Sequence, residues 1–307
     1  MTKSSSLKAY LEAGKRETRL LGAVERHMLL QPFDERDQKV IHPSDLIKKD
    51  WCALAAYHAL KGNYIETRER PNLRTQSIFD TGHAIHAKWQ NYLKDMGVLY
   101  GRWYCPTDNR YEWGLSKDPN IIGTPSIFDY AEVPLHSKKH MIYGHSDGWV
   151  KGLGEDFLVE IKSIGPGTIR LEAPALIIDS DLDSAWKNIR NPFTTHLLQG
   201  QVYLHLAHLM VEAGELESAP NEIVFIYELK ATQDYKEFVV SYTPNFVEHI
   251  FEAAADVVWA VENDRPPVCT INSTKGCKRC EPFGRSEVLD EEPPVNPIKI
   301  GWSNVNK

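Results

Sequence analysis

The chain has 307 residues, 42% of them hydrophobic and 25% charged, which describes an ordinary folded protein with enough mass for a real core. A formal net charge of -7 excludes a protein coated in positive charge, although a local basic groove remains compatible with it. No apolar run approaches the roughly 20 residues of a membrane span. The start, MTKSSSLKAYLEAGKRETRLL, lacks a signal-peptide core and cleavage site, so a cytoplasmic protein with no membrane partner is expected.

Along the chain, residues 7–30 carry apolar side chains at helical spacing. HPSDLIKKDWCALAAYHALKG offers Ser44 or Asp45 as an N-cap and Gly62 as a terminator, which predicts one helix. NYIETRERPNLRTQ reads as a polar, basic connector. A helix over 77–96 follows and carries His83 and His86. Strands are expected at 98–104, 129–136, 141–151 and 157–164, with Pro166 and Gly167 ending the last. A short helix over 181–190 and a longer one over 194–213 come next, then strands in EIVFIYELK and YKEFVVSY. A last long helix covers 244–263, and an acidic, proline-containing tail starts near Glu287. Helices flanking a mixed sheet define an α/β core with helical additions.

Gly152-Leu153-Gly154 joins two of these strands as a hairpin turn. Centring the turn between Leu153 and Gly154 sets Asp147 opposite Glu160 and His145 opposite Lys162, with all four on one face. Opposed carboxylates repel across a strand pair unless a cation lies between them.

GHSDGWV, followed by LVEIKS, resembles the PD-(D/E)xK nucleases, and within them the RecB-like branch. That resemblance implies a restriction-endonuclease-like mixed sheet flanked by helices. It also implies that Asp147 and Glu160, with the Ile161 carbonyl, bind Mg²⁺ or Mn²⁺, and that Lys162 orients or activates the attacking water. TGHAIHAKW resembles the branch's Gly-x-x-x-His motif, with Gly82 and with His86 as a third metal ligand; His83, three residues earlier, is assigned to structure. HLLQGQVYLHL contains Gln199-x-x-x-Tyr203, a motif that lines the active site and contacts DNA in that branch. RecB-like nucleases often carry a glutamate on the preceding strand. Glu132 is therefore either a supporting site residue or an exposed strand residue. Arg68, Arg70, Arg74 and Lys230 are candidates for phosphate contact, with a solvated surface as the expected reading.

The chain has five cysteines. Spaced cysteines in a reducing compartment suggest metal more than disulfides. Cys52 stands early and Cys269, Cys277 and Cys280 cluster late, a layout similar to the iron–sulfur CRISPR-associated exonucleases (the Cas-four group) and the B subunit of AddAB. The resemblance implies a 4Fe-4S cluster, with zinc as the alternative. It also implies a helical, cysteine-rich subdomain built from N- and C-terminal segments. Cys105 fits no ligand pattern and is read as structural.

The expected organisation is a helical extension over 1–42, a RecB-like nuclease domain with its cysteine cluster over 43–285, and a flexible tail over 286–307. The expected function is a metal-dependent exonuclease acting on single-stranded DNA ends. No phosphate-loop motif is present, so a partner helicase or recombinase is implied unless ends are already exposed. A non-catalytic DNA-end binder and a sequence-specific endonuclease on the same core are the alternatives.

Overall fold

A computed structural model describes residues 19–31, 36–63, 70–122, 128–177, 181–269 and 277–283. The chain divides into two compact units, residues 1–36 with 66–81, and residues 37–65 with 82–307. The expected tail over 286–307 lies outside the described residues, as do residues 1–18.

The first unit holds α1 (Arg19–Leu30) and the start of α4 (Leu73–Asp95). Within it, Arg70 donates to the carbonyls of Leu29 and Gln31. The α4 helix begins four residues before the sequence expectation because Asn72 caps it, accepting the N–H of Thr75 at 2.9 Å.

In the second unit the single helix expected from Ser44 to Gly62 is broken in two, α2 (Pro43–Leu46) and α3 (Ala53–Leu60). Cys52 has extended backbone at the N-cap of α3, so the helix starts only after it. The remainder runs β1 (Leu99–Cys105), β2 (Arg110–Leu115), α5 (Pro119–Ile122), β3 (Asp129–Tyr130), β4 (Val133–Ser137), β5 (Ile142–Ser146), β6 (Gly148–Val150), β7 (Phe157–Ile164), α6 (Pro166–Glu172), α7 (Leu182–Asn188), α8 (Thr194–Glu212), β8 (Glu222–Leu229), β9 (Tyr235–Ser241) and α9 (Glu248–Glu262).

Seven strands form a mixed sheet in the order β2-β1-β6-β7-β8-β9, with β3 also paired to β1. Only β7 and β8 run parallel. One face of the sheet packs on α4 through Ile85, Trp89 and Leu93 against Val150, Val159, Ile161 and Ile226. The other face carries the main core, in which Val202, Tyr203 and Leu206 of α8 meet Leu158, Ile223, Phe225 and Tyr227. Gly200 allows this close approach, since a Cβ there would stand 2.5 Å from the Phe225 ring. No described helix is long and apolar enough to cross a membrane.

The register expected across the glycine turn is present, with Gly148 opposite Val159 and Trp149 opposite Leu158. It stops at Gly148. The residues before it leave the sheet and pair with β4 instead, so His145 faces Pro134 and not Lys162. The strand expected over 129–136 likewise breaks at Glu132, whose φ of 60° no regular strand accommodates. Pro166 does end β7, but it also opens α6, because its fixed φ suits a first helical position. The β2 strand was not anticipated: its side chains are mostly exposed, so it lacks an apolar alternation.

Candidate active site and cysteine centre

The break at Asp147 builds the site. With the strand bent there, the carboxylate turns back onto β7 and accepts the Ile161 N–H at 2.6 Å through Oδ2. Its Oδ1 lies 3.0 Å from His86 Nδ1 on α4. The neighbouring Ser146 hydroxyl donates to the Val159 carbonyl at 2.9 Å and pins the bend. Side chains of β7 alternate, so Glu160 and Lys162 share the α8 face. Lys162 Nζ donates to Glu160 Oε1 at 2.7 Å and to Gln199 Oε1 at 2.8 Å. Gln199 Nε2 in turn donates to the Tyr203 hydroxyl at 3.0 Å. The sequence-predicted residues thus form two linked sets, Asp147 with His86, and Glu160 with Lys162, Gln199 and Tyr203, joined only by the Asp147 bond to the Ile161 N–H.

The Gly-x-x-x-His spacing has a packing cause. A Cβ on Gly82 would lie 3.2 Å from Ser163 Oγ, so a glycine lets α4 approach the end of β7. One turn on, His86 then reaches Asp147. His83 is exposed on the helix rather than packed. Two residues absent from the sequence reading complete this side. Gln90, four residues after His86 and on the same helix face, donates to the Asp147 carbonyl at 2.9 Å. Its side chain also bonds Glu132. Glu228 is 1% exposed and accepts Lys88 at 2.6 Å and Trp89 Nε1 at 2.7 Å, which clamps α4 to β8.

Glu132 lies close to this group. Its backbone carbonyl accepts the Arg102 N–H, and its left-handed backbone directs the side chain toward Asp147, His86 and Gln90. Burial, then the Asp147 charge, push its carboxyl up to about 7. Burial likewise raises Glu160, with Lys162 opposing and Asp147 adding to the shift. At His86, burial disfavours the charged ring, but the hydrogen bond and charge of Asp147 outweigh it and raise its pKa. Glu160 Oε2 is buried with no hydrogen-bond partner. The charges of Asp147 and His86 both act on Glu160, and carboxylate oxygens with an imidazole nitrogen are donor types that suit a divalent cation.

A second centre lies in the same unit. The sulfurs of Cys52, Cys269, Cys277 and Cys280 all fall within 4.8 Å of one another, joining the start of α3 to the C-terminal segment. Arg279 makes a two-pronged ion pair with Asp50, at 2.9 and 3.0 Å, beside Cys52. Burial pushes the Cys52 thiol up and the Cys280 thiol to about 12, so these sulfurs stay protonated unless a cation offsets the charge. Cys105 is buried in β1, outside the group.

The candidate phosphate contacts separate. Arg68 lies outside the described residues, Arg70 is engaged by the carbonyls of Leu29 and Gln31, and Arg74 is exposed. Lys230 is half-buried, with its side chain near Gly82 and Gly165, and burial lowers its pKa.

No family model and no curated protein matches the chain. Among solved structures, SSO0001 is 15% identical, with 78% of this chain and 84% of that one covered and a TM-score of 0.32. The alkaline exonuclease LHK-Exo from Laribacter hongkongensis is 12% identical, with 74% of this chain and 90% of that one covered and a TM-score of 0.39. Its complex with dAMP gives 14% identity, with the same coverage and TM-score. These likenesses are distant, and the chemistry below is taken from the side chains of the site.

Proposed function

We propose that the protein is a metal-dependent deoxyribonuclease, an exonuclease acting on single-stranded DNA ends in recombination, repair or phage DNA metabolism. The observation that carries this reading is Asp147, held to His86 and to the Ile161 N–H, next in sequence to Glu160 with its partnerless Oε2, and Lys162 held by Gln199. Asp147, Glu160 and His86, with the Ile161 carbonyl, would hold Mg²⁺ or Mn²⁺. Such an ion polarises a phosphoryl oxygen and lowers the pKa of a bound water. The chain's own contribution is positional. Lys162, fixed between Glu160 and Gln199, orients the attacking water and offsets charge developing on the phosphorus oxygens. Tyr203 and Gln199 keep that ammonium from swinging away. A helicase or recombinase partner is part of this reading because the sequence carries no phosphate-loop motif. An end-binding subunit that kept the fold, or a sequence-specific endonuclease, would share this scaffold.

The first test uses the two helix histidines. With Mn²⁺ present, His86→Ala is expected to lose at least about a hundredfold in cleavage, as befits the loss of an active-site donor, while His83→Ala keeps most activity. A His83 variant more damaged than His86 would mean that the wrong helix face has been assigned.

A second test reads pH. Glu132 and Glu160 have raised pKa values, so between about 4.5 and 7 the folded state binds more protons than the unfolded one. Their contribution to metal-free stability therefore falls as pH rises through that window. Buried neutral histidines run the other way: burial lowers His145 to about 4, so its contribution is lost as pH falls below about 6.5. The Mn²⁺-induced rise in Tm reads the donors of the site, because protons compete with the ion for the carboxylate oxygens and for the His86 ring. It should be small near about pH 5 and complete by about pH 8. An equal rise at both ends would remove these carboxylates from the metal site.

For the cysteine centre, the motif layout favours a 4Fe-4S cluster and the geometry favours zinc. A single tetrahedral zinc with Zn–S bonds of about 2.3 Å sets sulfurs about 3.8 Å apart. Cys52 and Cys269 sulfurs lie 3.7 Å apart. Four iron atoms between the thiolates require a wider spread. Either group would tie α3 to the C-terminal segment and add directly to folding stability.

A further inference from the structure

His196 lies three residues before Gln199 and seven before Tyr203, on the same face of α8. Its Nδ1 is 2.5 Å from the Tyr227 hydroxyl. That hydroxyl also accepts the Phe193 N–H at 2.8 Å, and Tyr227 is 0% exposed. If Nδ1 carried the proton, the phenol would accept twice and its own O–H would be buried without an acceptor. The phenol therefore donates to Nδ1, and the imidazole proton sits on Nε2. Nε2 has no partner among the described residues, and the ring is partly exposed, so this N–H opens to solvent. The Lys162 charge reaches the same ring. Burial and that charge together lower its pKa to about 2, so the ring stays a neutral donor.

A buried tyrosine that fixes the tautomer of a partly buried histidine, near enough to feel the Lys162 charge, does more than join α8 to β8. We infer that His196 is a substrate-contacting residue, presenting Nε2–H to a non-bridging oxygen of the DNA phosphate chain. This rests on the nuclease reading. It adds a neutral, pre-oriented donor near the Lys162 charge held by Glu160 and Gln199.

The test is fluorescence anisotropy with a short fluorescein-labelled oligothymidylate in Ca²⁺, a cation that takes the same oxygen ligands. His196→Phe keeps a ring but loses the donor. Its affinity is expected to fall roughly tenfold to a hundredfold, the loss typical of a hydrogen bond to a charged acceptor. His196→Gln places an amide N–H near the Nε2 position and should recover a substantial part. The Mn²⁺-induced rise in Tm should match wild type in both. Affinity of His196→Phe within about twofold of wild type overturns the inference. So does a glutamine variant as weak as phenylalanine, or a wild type that binds no oligonucleotide. If the phenylalanine variant does not fold, His196→Ala replaces it with the same outcomes. A wild type that binds the oligonucleotide but cuts no DNA with Mn²⁺ would refute the nuclease reading. The anisotropy comparison would still decide His196.

Discussion

Asp147→Asn should lose roughly a thousandfold in Mn²⁺-dependent cleavage and remain folded. The asparagine keeps a side-chain oxygen for the Ile161 N–H, which Asp147 accepts at 2.6 Å. It loses the charge that a cation would share with Glu160. Asp147→Ala is predicted to differ in a diagnostic way. It strips that buried N–H of its acceptor, at a cost of about 1–3 kcal/mol, so the alanine variant should melt lower even without metal. Both variants should lose the Mn²⁺-induced rise in Tm. A pure ion network between Asp147 and His86 would instead show lower melting in both variants and no effect of Mn²⁺ in the wild type. Cleavage by Asp147→Asn within about tenfold of wild type would remove Asp147 from the chemistry.

Much of this site was legible because its causes are local. The turn glycines Gly152 and Gly154 have φ of 90° and 112°, and they set the β6–β7 register as the sequence predicts. The helical spacings from Gly82 to His86 and from Gln199 to Tyr203 survive for the same reason. What was hidden depends on distant partners. The departure of β5 from the sheet is decided by β4 and by Pro43 and Tyr203, which press on Gly144 so closely that a Cβ would meet Pro43 Cγ at 2.8 Å. No residue type announces the left-handed backbone of Glu132. Gln90 was readable in principle, four residues beyond His86. Glu228, a carboxylate inside the apolar run EIVFIYEL, raised the same question as Asp147. Its answer is structural, since Lys88 and Trp89 satisfy it. A buried carboxylate in a strand is thus ambiguous in sequence, and its partners decide its role.

Loss of any one of Cys52, Cys269, Cys277 or Cys280 to alanine should empty or impair the cysteine centre and lower Tm by more than about 10 °C. The reasoning is energetic. Apparent binding energies of structural zinc in small peptides run to about 10–16 kcal/mol and appear as folding free energy. Here the four sulfurs bridge more than two hundred residues of chain, from Cys52 to Cys280. Without the ion, burial keeps Cys52 and Cys280 as thiols. Cys105→Ala is the control. Its thiol is buried in β1 away from the group, so that variant should keep its metal and lose only about 1 kcal/mol for the small cavity. Metal analysis and spectra on anaerobically purified protein separate the two candidates. A brown protein with thiolate-to-iron absorption identifies the cluster. A colourless protein with one zinc per chain identifies the tetrahedral site that the 3.7 Å sulfur contact favours. Stripping the wild type with a chelator should reproduce the melting of the cysteine variants. Equal metal content in the wild type and all four variants would show that these thiols hold nothing.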